Sequence, residues 1–155
     1  LFDGLSTSIG AAATELTASH LFQAAATIRS NGITSPLVGV FHPKQIYNLV
    51  ANLTASGVNP NGGDLQNEAM RTGFVGTIAG IDLYQSSNIT VDANDDAKGA
   101  VFAREAFAMA MKRDFNLEPE RDASNRGFEL NATAIYGVAE LDDSYGVEMF
   151  FDAAI

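Results

Sequence analysis

The sequence predicts an α+β fold, two main helices packed against mostly antiparallel β-structure, and three features of its 155 residues carry that prediction. Hydrophobic residues make up 46% and charged residues 18%, enough apolar material for one core in a chain of ordinary single-domain length. Two segments, near residues 18–30 and 44–55, repeat apolar positions every three to four residues, as amphipathic helices do. From Phe128 onward apolar and polar residues alternate, the period of a strand.

Leu1 to Glu15 is rich in Gly, Ser, Thr and Ala without a sustained period, and reads as an irregular lead-in. Thr17 is placed to cap a helix over Ala18–Ser30, with Leu21, Ala25 and Ile28 on one face and Phe22 widening the stripe. Asn31-Gly32 stops it, because such residues tolerate the left-handed conformation that ends a helix. After Pro36, Leu37–Phe41 is too short for a helix and β-rich enough for a buried strand. His42-Pro43 ends that strand, and Pro43 suits the first turn of an amphipathic helix over Lys44–Ala55 built on Ile46, Leu49, Val50 and Leu53. Turn chemistry makes Ser56–Gly63 a loop, and a short helix is expected over Asp64–Arg71.

Beyond Gly73 the pattern turns to strands: Phe74–Ile78 and Ile81–Tyr84 flank Ala79-Gly80. Ser86–Asp96 is polar and acidic, an exposed loop. Gly99–Arg113 fits both periods, since Phe107, Met109 and Met111 alternate while Phe107, Met111 and Phe115 suit a helix; its β-rich surroundings favour strand. Phe128, Leu130, Ala132, Ala134, Tyr136 and Val138 share one face opposite Glu129, Asn131 and Thr133. After Asp142-Asp143-Ser144, Tyr145, Val147, Met149 and Phe151 alternate again. The expectation is a long hairpin over Gly127–Asp152 with one wet face.

Composition excludes several functions. Nineteen Asp and Glu against nine Lys and Arg give a net charge of −10, which opposes a grip on nucleic-acid phosphate. Without cysteine there is no disulfide, iron–sulfur cluster, thiolate zinc site or Cys nucleophile. No apolar run is long enough for a membrane helix, and no basic-then-apolar leader opens the chain. His20 and His42 have no companions at metal-ligand spacing and read as structural. Asp92-Ala93-Asn94-Asp95-Asp96 starts like a calcium loop, but Ala97 and Ala103 stand where that loop needs Gly and Glu, so a solvated acidic loop is the better reading.

Nucleophile motifs are absent, and Ser6-Thr7-Ser8 have no recognisable base; Gly62-Gly63 lacks the lysine of a phosphate loop. Glu118 and Glu120 bracket Pro119 and suit an exposed turn better than a glycosidase cleft. Asn-x-Ser/Thr triplets stand at Asn52, Asn88 and Asn131 where chance alone supplies one or two, and carry little weight. The sequence thus offers no catalytic, cofactor-binding or metal-binding residues, and an enzyme is not expected. Most aromatics, among them Phe22, Phe102, Phe107, Phe115, Phe128 and Tyr136, are expected in the core. Phe150 and Phe151 are adjacent and point to opposite faces of a strand, so one of them is exposed or meets a neighbour.

The order of segments resembles a known family. Leu1-Phe2-Asp3-Gly4-Leu5 precedes a helix opened by Leu16-Thr17-Ala18. An apolar strand ends in His42-Pro43, followed by Lys44-Gln45-Ile46-Tyr47-Asn48-Leu49. Ile78-Ala79-Gly80-Ile81-Asp82-Leu83-Tyr84-Gln85-Ser86-Ser87-Asn88 comes next. Arg126-Gly127-Phe128-Glu129-Leu130, Ala134-Ile135-Tyr136-Gly137-Val138 and Tyr145-Gly146-Val147 complete the set. Nearly the whole chain resembles the C-terminal part of the major capsid protein of tailed double-stranded DNA bacteriophages, the Hong Kong 97-type fold.

The resemblance implies a lead-in and first helix over residues 1–31 at the junction of peripheral and axial domains. It implies an axial domain over 32–112, and closing strands of the peripheral domain over 113–155. The family's N-terminal arm, extended loop and spine helix have no counterpart before Leu1, and the expectation is the back portion of a longer subunit. Loops 56–63 and 86–98 would then face the rotational axes. The implied function is a non-enzymatic virion subunit that assembles with its own copies into pentamers and hexamers. Scaffolding, portal or decoration proteins are further implied partners; no cofactor, specific nucleic-acid binding or membrane is implied. Assembly is expected in the host bacterial cytoplasm. A net charge of −10 suits a wall that encloses DNA without holding it. The rivals are a soluble α+β ligand- or protein-binding module using those two loops, and a small hydrolase.

Overall fold

Two amphipathic helices lie against β-structure in the computed structural model, which describes residues 2–55 and 74–155. In chain order the elements are β1 (Ser8–Gly10), α1 (Ala18–Ser30), β2 (Leu37–Phe41), α2 (Pro43–Ala55), β3 (Phe74–Ile78) and β4 (Ile81–Gln85). Then come β5 (Asp96–Ala103), β6 (Phe107–Asp122), β7 (Gly127–Glu140) and β8 (Gly146–Asp152). Single 3-10 turns lie at Phe2–Gly4, Arg104–Ala106 and Asp143–Tyr145. The expected short helix at 64–71 and the loop at 56–63 lie outside the described residues.

Six strands form one sheet in the order β1-β8-β5-β2-β4-β3, and β6 and β7 form a second, two-stranded one. The pairs β1–β8 and β2–β4 are parallel; β2–β5, β3–β4, β5–β8 and β6–β7 are antiparallel. Both helices bury their stripes on one face of the large sheet. Leu21, Ala24, Ala25 and Ile28 of α1, with Ile46 and Leu49 of α2, meet Leu37, Phe41, Ile81, Leu83, Val101, Met149 and Phe151. That alternation along each strand is why the periods are readable in the sequence. Phe22, expected to widen the α1 stripe, stands on its exposed side.

The helix ends follow the expected chemistry with one addition. The Thr17 backbone N–H donates to His20 Nδ1 at 3.3 Å, and the Thr17 hydroxyl lies 3.0 Å from the same nitrogen. His20 thus fills the back-reaching position of a capping box, with Nδ1 as the acceptor. Gly32 takes φ +82° just past α1, the left-handed stop predicted. Ala79 and Gly80 both have positive φ, 57° and 73°, as a two-residue hairpin turn between β3 and β4 requires. Inside the core, Gln45 is fully buried and donates from Nε2 to the carbonyls of Ala97 at 2.8 Å and Phe151 at 2.9 Å. It ties α2 to the neighbouring strands β5 and β8.

The hairpin expected over 127–152 does not form. β7 pairs with β6, while β8 crosses back into the large sheet between β1 and β5. Alternation fixes which residues share a face but not which strand lies alongside. The Asp142-Asp143-Ser144 turn redirects the chain into another sheet instead of folding it back on itself. The strand favoured for 99–113 is present, but split into β5 and β6 by the Arg104–Ala106 turn.

Candidate assembly surface

The β6–β7 ribbon carries the most unusual surface of the molecule. Its two strands, 16 and 14 residues long, pair only with each other among the described residues. Pairs Met109–Val138, Met111–Tyr136, Leu117–Ala132 and Pro119–Leu130 put the apolar side chains of both strands on one face. Arg113, Asn116, Glu118 and Glu120 stand opposite with Ile135, Thr133, Asn131 and Glu129. Nothing among the described residues covers the apolar face: Phe128 is 78% exposed, Tyr136 64% and Leu130 63%. Monomeric proteins rarely leave such a contiguous patch in water, so the face is a candidate for cover by further chain, its own or another's.

Local chemistry explains the ribbon's shape. At its far end the Asp122 carboxylate accepts from the backbone N–H groups of Ser124 and Asn125 at 2.9 and 3.2 Å, and from both their side chains. These bonds hold its pKa down at about 2. Arg126 at φ 52° completes the turn. Midway, β6 shifts register twice, between Met111 and Arg113 and between Arg113 and Asn116. Each shift is a bulge that leaves an extra residue unpaired and adds twist. On the polar face Arg113 reaches across the second bulge to Glu118 at 3.3 Å, and Asn116 donates to the same carboxylate at 2.8 Å.

At its base the ribbon is fastened to the body. The Leu141 N–H donates to the Ala106 carbonyl at 2.8 Å, and Asp143 accepts from the backbone N–H of Ser6 at 2.6 Å and from its hydroxyl. Those donors hold Asp143 below the usual carboxylate range, and Ser144 does the same for Asp142. Glu140 is pushed up, first by desolvation and then by Asp143 and Asp142. Phe2, Phe102 and Phe107 pack at this junction with centroids 4.9 to 6.1 Å apart.

The other sequence candidates resolve into structural parts. Asp92 accepts from the N–H groups of Asn94 and Asp96 at 2.8 and 2.9 Å, Asp96 accepts from Ala13 N–H at 2.9 Å, and Asp95 pairs with Lys44 at 3.7 Å. These carboxylates organise a turn, and no group of three metal-ligating side chains gathers among the described residues. His42 caps α2: its Nδ1 accepts from Lys44 N–H at 3.3 Å, and burial, then Lys44, lower its pKa. Ser8 donates to Glu148 at 3.2 Å. Glu118 and Glu120 lie on the β6 strand, not on a turn. Phe151 is buried, while Phe150 is partly shielded by Lys98, whose ammonium lies 5.8 Å from the ring centre. A hollow of about 400 Å³ opens beside loop 86–98, between Ile89, Val91, Phe2 and Phe150. Phe115, Phe128 and Tyr136, expected in the core, are exposed because no further layer packs on their strands among the described residues. Sequence reasoning ended β6 at Arg113 and so missed Leu117; its alternation with Glu118, Pro119 and Glu120 was the available signal.

No protein-family model matches the sequence, and no curated protein matches it either. Solved structures do. A chain from Mycobacterium phage Che8 aligns with TM-score 0.69 at 20% identity, over 96% of this chain and 54% of that one. The capsid structure of the cyanophage P-SCSP1u aligns with TM-score 0.64 at 20% identity, over 86% and 45%. The holo-SrpI encapsulin complex from Synechococcus elongatus PCC 7942 aligns with TM-score 0.69 at 15% identity, over 91% and 51%. The chain therefore spans about half the length of the structures it matches. Its fold is the Hong Kong 97-type capsid fold.

Proposed function

We propose that the chain is a non-enzymatic structural subunit of a bacteriophage icosahedral capsid, assembling with its own copies into pentamers and hexamers that enclose a DNA genome. The observation that carries this reading is the fold, matched along almost the whole chain by capsid and shell structures. The uncovered apolar ribbon supports it, because a shell subunit needs large contact surfaces that a solitary protein would hide. On this reading the two-layer body forms the axial domain and the ribbon the core of the peripheral domain. Scaffolding, portal or decoration proteins are the further partners, and the virion is the location.

Likeness to an encapsulin favours one second reading, a shell that encloses protein cargo. Imaging of the full-length product by negative stain, with analysis of what the particles contain, separates the two. Closed shells containing nucleic acid support the capsid reading, and shells packed with protein support the second. A full-length product that stays monomeric under assembly conditions removes both.

A further inference from the structure

His42 does more than end β2. Its carbonyl accepts the first bond of α2, from Ile46 N–H at 3.2 Å, which makes it the residue that caps the helix. Pro43 brings no N–H, so Lys44 carries the first donor that α2 leaves open, and the His42 ring takes it at Nδ1, 3.3 Å away. Gln45 closes the box from the other side. Its Oε1 accepts from His42 N–H at 3.2 Å while its Nε2 holds the carbonyls of Ala97 and Phe151. Such a reciprocal box is usually built on Ser or Thr, whose oxygen accepts at any pH. Here the same place is filled by an imidazole, which accepts at Nδ1 only while that nitrogen carries no proton.

We propose that His42 is a pH-sensitive latch: neutral, it closes the first turn of α2 onto the large sheet, and proton uptake at Nδ1 releases it. The arriving proton removes the acceptor of Lys44 N–H and sets a positive ring against the positive end of the helix. Through Gln45 the release reaches the carbonyls of β5 and β8. Every contact in the latch joins elements of one chain, and none needs an open surface. The charged groups of the surrounding elements are Lys44 on α2, Asp95 and Asp96 where β5 begins, Lys98 within β5 and Asp152 on β8. Asp95 pairs with Lys44 at 3.7 Å, Asp96 accepts from Ala13 N–H at 2.9 Å and Asp152 from Ala154 N–H at 2.6 Å. Lys98 pairs with Glu148 at 3.7 Å, and β4 brings only Asp82, opposite Val38 and bonded to Thr77. Each of these carboxylates is thus engaged elsewhere. Burial first, then Lys44, favours the neutral ring. The latch therefore contributes fully above the ordinary imidazole range, and its contribution is lost as pH falls through the lowered pKa. His20 differs, because the Thr17 hydroxyl 3.0 Å from its Nδ1 can accept a proton placed there and the ring keeps a partner.

Urea unfolding of the 155-residue chain at about pH 7.5 and about pH 5, followed by far-UV circular dichroism, reads the latch against two variants. His42→Asn offers an oxygen where Nδ1 stands and takes up no proton; His42→Ala offers no acceptor at either pH. Wild type is expected to match His42→Asn at the higher pH and to fall about 0.5 M below it in midpoint at the lower. His42→Ala should lie about 0.5 M below His42→Asn at both. His20, Glu140 and the remaining titrating groups act alike in all three proteins, so these differences read His42 alone. A wild type that keeps pace with His42→Asn in acid, or a His42→Ala chain as stable as His42→Asn, overturns the latch. In the wild-type chain the amide shift of Lys44 should move with the titration of the His42 ring, both read by NMR. A Lys44 amide indifferent to that titration overturns the proposal even where a variant does not fold.

Discussion

Replacing Gln45 by methionine tests how the body holds together. The side chain is fully buried, and methionine fills nearly the same volume, so the change isolates its polar contacts. Three bonds are lost: Nε2 to Ala97 O and to Phe151 O, and His42 N–H to Oε1 at 3.2 Å. A typical bond contributes about 1 kcal/mol net. The two carbonyls belong to residues facing each other in the β5–β8 ladder, so they lose less than orphaned groups would. The expected destabilisation is about 2–3 kcal/mol. With a urea slope of about 2 kcal/mol/M, the midpoint should fall by about 1 to 1.5 M, followed by far-UV circular dichroism. A midpoint within about 0.25 M of wild type would mean that α2 is held by apolar burial alone and that the polar tie is incidental.

Gly99→Ala should also destabilise, by about 1–3 kcal/mol in the same assay, because a Cβ there would lie 2.6 Å from the Phe41 ring and 2.7 Å from the Val40 carbonyl oxygen. Leu130→Ser, at a 63% exposed position, should leave the urea midpoint of the isolated chain nearly unchanged yet abolish particles of the full-length product in negative stain. Asp122, its pKa lowered in the folded chain, stabilises the far turn above the ordinary carboxylate range. That contribution fades as pH falls from about 3.8 toward about 2, and carboxyl chemical shifts should report that midpoint. Glu140 has the opposite sign: its raised pKa means that its proton stabilises the folded state, and this is lost as pH rises through that pKa. Glu140→Gln should therefore raise the thermal midpoint at neutral pH, with the difference from wild type disappearing in acid.

Both helices and nearly every strand were legible in the sequence, because each carries one apolar face and so writes its period into the residues. Partnering was not legible. The alternation through Phe128–Val138 and Tyr145–Phe151 suits a hairpin as well as two strands in separate sheets. What decides is the turn at 122–127, which lacks an Asn-Gly or Asp-Gly pair and is made instead by the Asp122 side chain. The candidate surface was legible as an apolar face but misread as core, since sequence gives the hydrophobicity of Phe128 or Tyr136 and not whether a layer lies above it. Capping by His20 is local but puts a histidine where the capping pattern has Glu or Gln, and the buried tie of Gln45 depends on carbonyls brought in from elsewhere in the fold, so neither left a recognisable signal.

The strand order has a consequence for synthesis. β8, made after all the other strands of the large sheet, is inserted between β1 and β5. Ser8 pairs with Glu148, and the Asp152 N–H donates to the Thr14 carbonyl at 2.9 Å, contacts across about 140 residues of sequence. The ribbon, closed by one local turn, can zip as soon as β7 emerges, while the large sheet waits with the edge of β5 open. Local contacts form quickly and distant ones late, so the nascent chain should present a finished arm on an unfinished body. Emergence of β8 then acts as the clock for folding of the body, and a chain stalled before Gly146 would be the species most exposed to chaperones and proteases.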